Sequence, residues 1–175
     1  ISQGGSAAPH QDERRRPRAP ARGRLRGVRP VVPLADSSQR MVGRAITLGF
    51  APINGAYPLG EAKYQLAEMI EQAEEDDVVV IAGQGAPYGF WGDQVTHFSV
   101  KNRLAGAVID GFTRDSEEIR DRNFRVFSTG VTFEAFSGKY EGITFNAPIV
   151  CAEAMVRPGD VMVGDEDGVL VVPRE

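Results

Sequence analysis

The sequence contains one cysteine, two histidines and no apolar run near the roughly 18 residues needed to cross a bilayer. A lone Cys151 can form no internal disulfide and fits a reducing compartment. Its setting, Pro148-Ile149-Val150-Cys151-Ala152, is that of a buried, inert thiol rather than a nucleophile. His10 and His97 are too few for a histidine-rich zinc site. There is no Gly-x-Ser-x-Gly elbow and no Walker loop. Gly83-Gln84-Gly85 is followed by Tyr88 where the third glycine of a dinucleotide fingerprint belongs. The lysines are Lys63, Lys101 and Lys139; Lys101 lies in a polar stretch, which gives Schiff-base chemistry little support. The arginine-rich start lacks an apolar core and does not read as a signal peptide. A cytoplasmic protein without a membrane segment is expected.

The net charge of −4 over 175 residues conceals two unlike parts. Residues 1–30 carry eight arginines against Asp12 and Glu13, a net +6, which leaves −10 for the remainder. So acidic a body repels phosphates, and no nucleic-acid binding is expected of the core. Residues 1–26, rich in Arg, Pro and Gly, read as a disordered tail, although such a basic stretch also suits RNA or an acidic partner. Residues 27–175 read as one domain.

Within that domain, Val42–Leu48 alternates in part and reads as a strand. Glu61–Glu75 places Leu66, Met69, Ile70 and Ala73 at helical spacing. Val78–Ala82 and Ala107–Ile109 are β-branched or small runs suited to strands buried on both faces. Between them come a glycine-rich loop, Gly83–Gly92, and a helix from Asp93 to Leu104; another helix begins near Arg114. After Phe124 short strands follow: Val126-Phe127, Ile143–Val150, Val161–Val163 and Val169–Val172, the last two joined by the hairpin turn Gly164–Gly168. This order indicates an α/β fold with parallel pairing and layered sheets.

Ligands of parallel sheets bind at the carboxyl ends of strands. There the sequence offers Gly92-Asp93 after the first buried strand and Arg114-Asp115 after the second. Backbone N–H groups near Gly92 suit a carboxylate, and Arg114 suits a bidentate clamp on the same anion. Asp93 and Asp115 supply hard oxygens for Mg²⁺ or Mn²⁺. Each residue also has a structural reading. Asp115 with Glu118 forms a good capping box, Asp93 suits a first helical turn, Arg114 suits a solvated surface, and Phe90 and Trp91 suit packing. Spacing alone leaves both readings open.

Asp93, twenty residues and then Arg114-Asp115 resemble the signature of the regulator of ribonuclease activity A family. That family includes the 4-hydroxy-4-methyl-2-oxoglutarate and 4-carboxy-4-hydroxy-2-oxoadipate aldolases. Further blocks run in the same order: Met41–Ala45, Asp77–Val80, Trp91–Asp93, Gly106–Gly111, Val156–Asp160 and Gly164–Val169. The resemblance spans about Gly27 to Pro173. It implies a layered α/β/β fold like that of swivelling domains, assembled as a homotrimer or hexamer with sites between subunits. It further implies a divalent metal, Mg²⁺ foremost, on Asp115. The 2-oxo acid would be held by Gly92, Asp93, Gln94, Val95 and Arg114, with Arg114 and Asp93 catalytic. Some members add an acid from a neighbouring subunit's C-terminal tail. The arginine-rich stretch departs from the family's usual N-terminal helix. Ribonuclease regulators of the family often lack the Arg-Asp pair, and this chain keeps it.

The expected activity is therefore metal-dependent retro-aldol cleavage of 4-hydroxy-2-oxo di- and tricarboxylic acids to pyruvate, with oxaloacetate decarboxylation at the side. The alternative is a non-catalytic trimeric regulator bound to an RNA-processing enzyme. Methyl transfer, a label sometimes given to the family, finds no glycine-rich cofactor motif here.

Overall fold

Strands that bury both faces must be covered from both sides, and two such strands form the centre of the molecule. The computed structural model describes residues 26–28, 32–33, 40–53 and 61–174. The expected tail lies, up to residue 25, outside the described residues. In chain order the elements are β1 (Arg26–Val28), β2 (Val32–Pro33), β3 (Met41–Pro52), α1 (Glu61–Gln72), β4 (Asp77–Trp91), α2 (Asp93–Lys101) and β5 (Gly106–Thr113). They continue with α3 (Ser116–Asp121), β6 (Val126–Val131), β7 (Tyr140–Phe145), β8 (Ile149–Cys151), β9 (Ala154–Val156), β10 (Val161–Asp165) and β11 (Gly168–Val172). The main sheet runs β1-β11-β10-β3-β4-β5-β6-β2, with β7 also on β3, and β8-β9 form a separate hairpin. The pairs β3–β4, β4–β5 and β5–β6 are parallel.

Period-two alternation divides the core. Val79, Ile81, Ala107 and Ile109 join Leu66, Met69 and Ile70 of α1 and Ile119 of α3. Val78, Val80, Ala82 and Val108 face the other way, onto Cys151, Ala154, Val156, Met162 and Val171. Helices thus cover one side of the parallel strands and antiparallel strands the other, the α/β/β layering expected from sequence. Gly164 permits the wrap: a Cβ there would lie 2.7 Å from the Phe127 ring of β6.

Several readings need correction. The segment Gly83–Gly92 is not a free loop, because β4 continues through it to Trp91 with register shifts. The reason is a partner: β5 extends past Ile109, and Gly111, Phe112 and Thr113 pair with Ala86, Gly89 and Trp91. Ile143–Val150 is not one strand. Asn146 takes φ 46° and Pro148 lacks an N–H, so β7 ends and β8 begins separately. The strand β9, three residues long, carried too short a pattern to be read. Both longer helices also end sooner than expected, at Gln72 and Lys101. Cys151 is fully buried, its thiol 3.7 Å from the Ile81 carbonyl oxygen, and burial raises its pKa far above the ordinary thiol range.

Candidate functional site

The site begins where β4 and β5 end side by side. The Trp91 carbonyl accepts hydrogen bonds from the Arg114 N–H at 2.9 Å and from the Thr113 hydroxyl at 3.2 Å, stitching the two exits together. The indole N–H of Trp91 donates to Thr96 Oγ1 at 2.8 Å, and that hydroxyl donates to the Gly92 carbonyl at 2.9 Å. These bonds fix the first turn of α2, whose N-cap is Gly92.

Asp115 stands at the head of α3 but does not cap it with its side chain. The capping box with Glu118 is therefore absent. Asp115 adopts a left-handed conformation, φ 57° and ψ 43°, and its Oδ2 accepts the backbone N–H of Asp93 at 2.9 Å. The carboxylate thus satisfies one of the orphan donors at the start of the neighbouring helix. Arg114 Nε lies 3.6 Å from the same oxygen. The approach depends on glycine: a Cβ at Gly92 would meet Asp115 Oδ2 at 2.6 Å and Arg114 at 3.2 Å, and one at Gly89 would touch the Arg114 stem at 3.4 Å.

Beside this junction opens a cavity of about 560 Å³, lined by Gly92, Gln94, Val95 and Arg114 and walled by apolar side chains. Four of the six site residues singled out from sequence therefore line one cavity, and Asp93 and Asp115 are bonded to each other at its edge. The Asp93 carboxylate turns elsewhere. It accepts Arg122 Nε at 2.5 Å, and Arg122 Nη1 is also 3.5 Å from His97 Nδ1. The hydrogen bond and positive charge of Arg122 hold Asp93 below the usual carboxylate range, against a smaller opposing effect of burial. Sequence reasoning missed Arg122, because nothing in an exposed arginine just past the end of α3 announces a partner 29 positions away. It also missed the wall residues Leu66, Ile70 and Phe98, which read as ordinary core or surface.

Among the described residues no group of three or more His, Cys, Asp or Glu side chains is placed to hold a metal. Asp115 offers a carboxylate oxygen beside the cavity, its side chain 36% exposed. Mg²⁺ commonly takes one or two carboxylates and fills its other positions with water and substrate oxygens. Asp115 fits that pattern as a single-carboxylate ligand.

The cavity lies at the carboxyl ends of parallel strands, where α/β folds commonly place small-ligand sites. The chain belongs to the RraA-like family, whose family model, described as aldolase/RraA, matches residues 19–171. It is 34% identical over 145 residues to a Halalkalibacterium halodurans protein named "Putative 4-hydroxy-4-methyl-2-oxoglutarate aldolase", covering 82% of this chain and 64% of that protein. It is 29% identical over 150 residues to the protein DlpA of Legionella pneumophila, covering 85% of this chain and 24% of that one. The chain thus spans less than two thirds of either relative. Among solved structures it resembles Streptomyces coelicolor RraAS2, described as an unusual member of the RNase ES inhibitor RraA protein family. The TM-score is 0.74 and the identity 28%, covering 84% of this chain and 71% of that one. No helix among the described residues is long and apolar enough to cross a membrane.

Proposed function

We propose that the chain is a divalent-metal-dependent lyase that cleaves 4-hydroxy-2-oxo acids, di- and tricarboxylic ones among them, and releases pyruvate, with oxaloacetate decarboxylation as a side activity. One observation carries the reading: Arg114 and the start of α2 line the same cavity while Asp115 and the Asp93 N–H join at its edge. The relatives named as aldolases support it. We further take the working form to be a homotrimer or hexamer.

In this scheme Arg114 grips the 2-oxo acid end through its forked N–H groups, and the first-turn amides of Gln94 and Val95 complete the anion site. Mg²⁺ or Mn²⁺ held by Asp115 would supply a Lewis acid for the 2-oxo group. The C3–C4 bond breaks, the C4 hydroxyl becomes a carbonyl, and C3 takes up a proton. Arg114 stabilises the negative charge that gathers on the 2-oxo oxygen, the contribution that lowers the barrier. A water accepts the C4 hydroxyl proton; for Asp93 to hold it, its carboxylate, kept ionised by Arg122, must swing from Arg122 towards the cavity.

The test is pyruvate release from oxaloacetate and from 4-hydroxy-4-methyl-2-oxoglutarate, with Mg²⁺ and with a chelator. Asp115→Ala is expected to abolish the metal-dependent release, and Arg114→Ala to cost roughly 3 kcal/mol or more of transition-state stabilisation. Unchanged turnover in either variant would end the assignment. A second reading, a protein-binding regulator, is favoured by the likeness to RraAS2; it requires that no oxo acid yields pyruvate under any metal condition.

A further inference from the structure

Two bonds meet at Asp93. Its backbone N–H donates to Asp115 Oδ2 at 2.9 Å, and its carboxylate accepts Arg122 Nε at 2.5 Å, where the end of α3 meets α2. One residue therefore separates the Arg122 guanidinium from the Asp115 carboxylate. By bond lengths along that residue the two groups lie at most roughly 10 Å apart, a span that a cation and a five-carbon diacid can bridge. The side chains of Arg122 and Asp93 are 35% and 34% exposed, so a solute can reach the pair. A pair so placed has little to lose when another carboxylate takes over the same guanidinium.

The surroundings favour replacement over addition. Arg122 Nη1 lies 3.5 Å from His97 Nδ1, and Glu118 is near enough for its charge to act on Arg122. A carboxylate added beside Asp93 and Glu118 would meet two like charges around one cation. Exchange with Asp93 leaves the charge at Arg122 unchanged. It also frees the carboxylate that cleavage needs at the cavity.

Within the lyase reading, on which this rests, we propose that Arg122 binds the distal carboxylate of the substrate by displacing Asp93. The substrate is then a 4-hydroxy-2-oxo diacid, its C1 end at Arg114 and its far carboxylate on the fork of Arg122. The displaced Asp93 turns to the cavity and holds the water that takes the C4 hydroxyl proton. The C3–C4 bond breaks, its electron pair passes to C3, C4 becomes a carbonyl, and C3 gains a proton as pyruvate forms. Arg122 thus selects the substrate, and arrival of the second carboxylate readies the base.

Titration calorimetry of the full chain in Mg²⁺ compares 2-oxoglutarate with 2-oxopentanoate, which ends in methyl where the other ends in carboxylate. Neither has a C4 hydroxyl to cleave. Both share the 2-oxo acid head, so the ratio of their Kd values cancels changes at the metal. The wild type is expected to prefer 2-oxoglutarate. Asp93→Asn keeps the backbone N–H but removes the competing charge, and the preference is expected to grow about tenfold. Pyruvate release from 4-hydroxy-4-methyl-2-oxoglutarate is expected to slow in the same variant. Arg122→Gln is expected to abolish the preference; circular dichroism checks that both near-isosteric variants are folded. No preference in the wild type, a preference that survives Arg122→Gln, or one that does not grow in Asp93→Asn would each overturn the proposal. Wild-type pyruvate release separates the two claims. The expected order of ratios without pyruvate removes the lyase but keeps the exchange at Arg122, whereas pyruvate with equal ratios keeps the lyase and removes Arg122 from the substrate.

Discussion

At Asp115 the backbone is left-handed, a conformation that costs roughly 1 kcal/mol for most residues and that aspartate tolerates better than most. The conformation turns its carboxylate away from α3 and onto the Asp93 N–H, beside the Arg114 guanidinium. Gly92 makes room. Its own backbone, φ −165° and ψ −171°, is open to any residue, so Gly92→Ala brings a steric rather than a conformational penalty. The added methyl would sit 2.6 Å from Asp115 Oδ2. We expect Gly92→Ala to remain folded by circular dichroism while pyruvate release falls on the order of a hundredfold, the scale of misplacing a reacting group by about 1 Å. Wild-type turnover in that variant would show that the junction of residues 92 and 115 has no part in catalysis. The residues at this junction were legible from spacing, but the left-handed turn was not. The same letters spell a capping box, and a hydrogen bond across 22 positions settles which is made.

At the level of elements, α2 and α3 are tied by the pair Asp93–Arg122, with both side chains about one third exposed. A pair so placed contributes little to stability, so its consequence is electrostatic. Because Arg122 depresses the Asp93 pKa below 3.8, whatever the pair contributes is complete above pH 3.8 and is lost as the pH falls through the lower folded value. In Arg122→Gln the Asp93 carboxyl carbon, followed by NMR, is expected to titrate at higher pH than in the wild type. Identical midpoints in the two proteins would remove Arg122 from the site. The amphipathic stripe of α1 and the two buried strands were readable because burial leaves a periodic pattern in each. The extension of β4 was not readable. Glycine and proline look like a loop until β5 supplies the hydrogen bonds that make a strand of them.

Over the whole molecule, Val131, Phe133, Ile143 and Val150 are more than half exposed, Phe133 at 93%. Contiguous exposed apolar side chains mark surfaces that partners cover, and the proposed assembly would bury these four. If the working form is the proposed trimer or hexamer, sedimentation equilibrium should give three or six times the 19.0 kDa chain mass, and Phe133→Ser should shift the population towards monomer. A wild-type monomer at micromolar concentration would contradict the assembly. Periodicity and residue order sufficed for an α/β fold with parallel pairing and for the short roll of polar residues at the strand ends, since each is a local pattern of side-chain type, while the α/β/β layering came with the family resemblance. Tertiary structure alone decided that the Asp93 carboxylate goes to Arg122, that Asp115 reaches the neighbouring helix, and that one arginine faces an apolar wall drawn from α1, α2 and the segment before β7. Those are facts of distance between residues far apart in the chain, and distance is set by packing rather than by sequence neighbours.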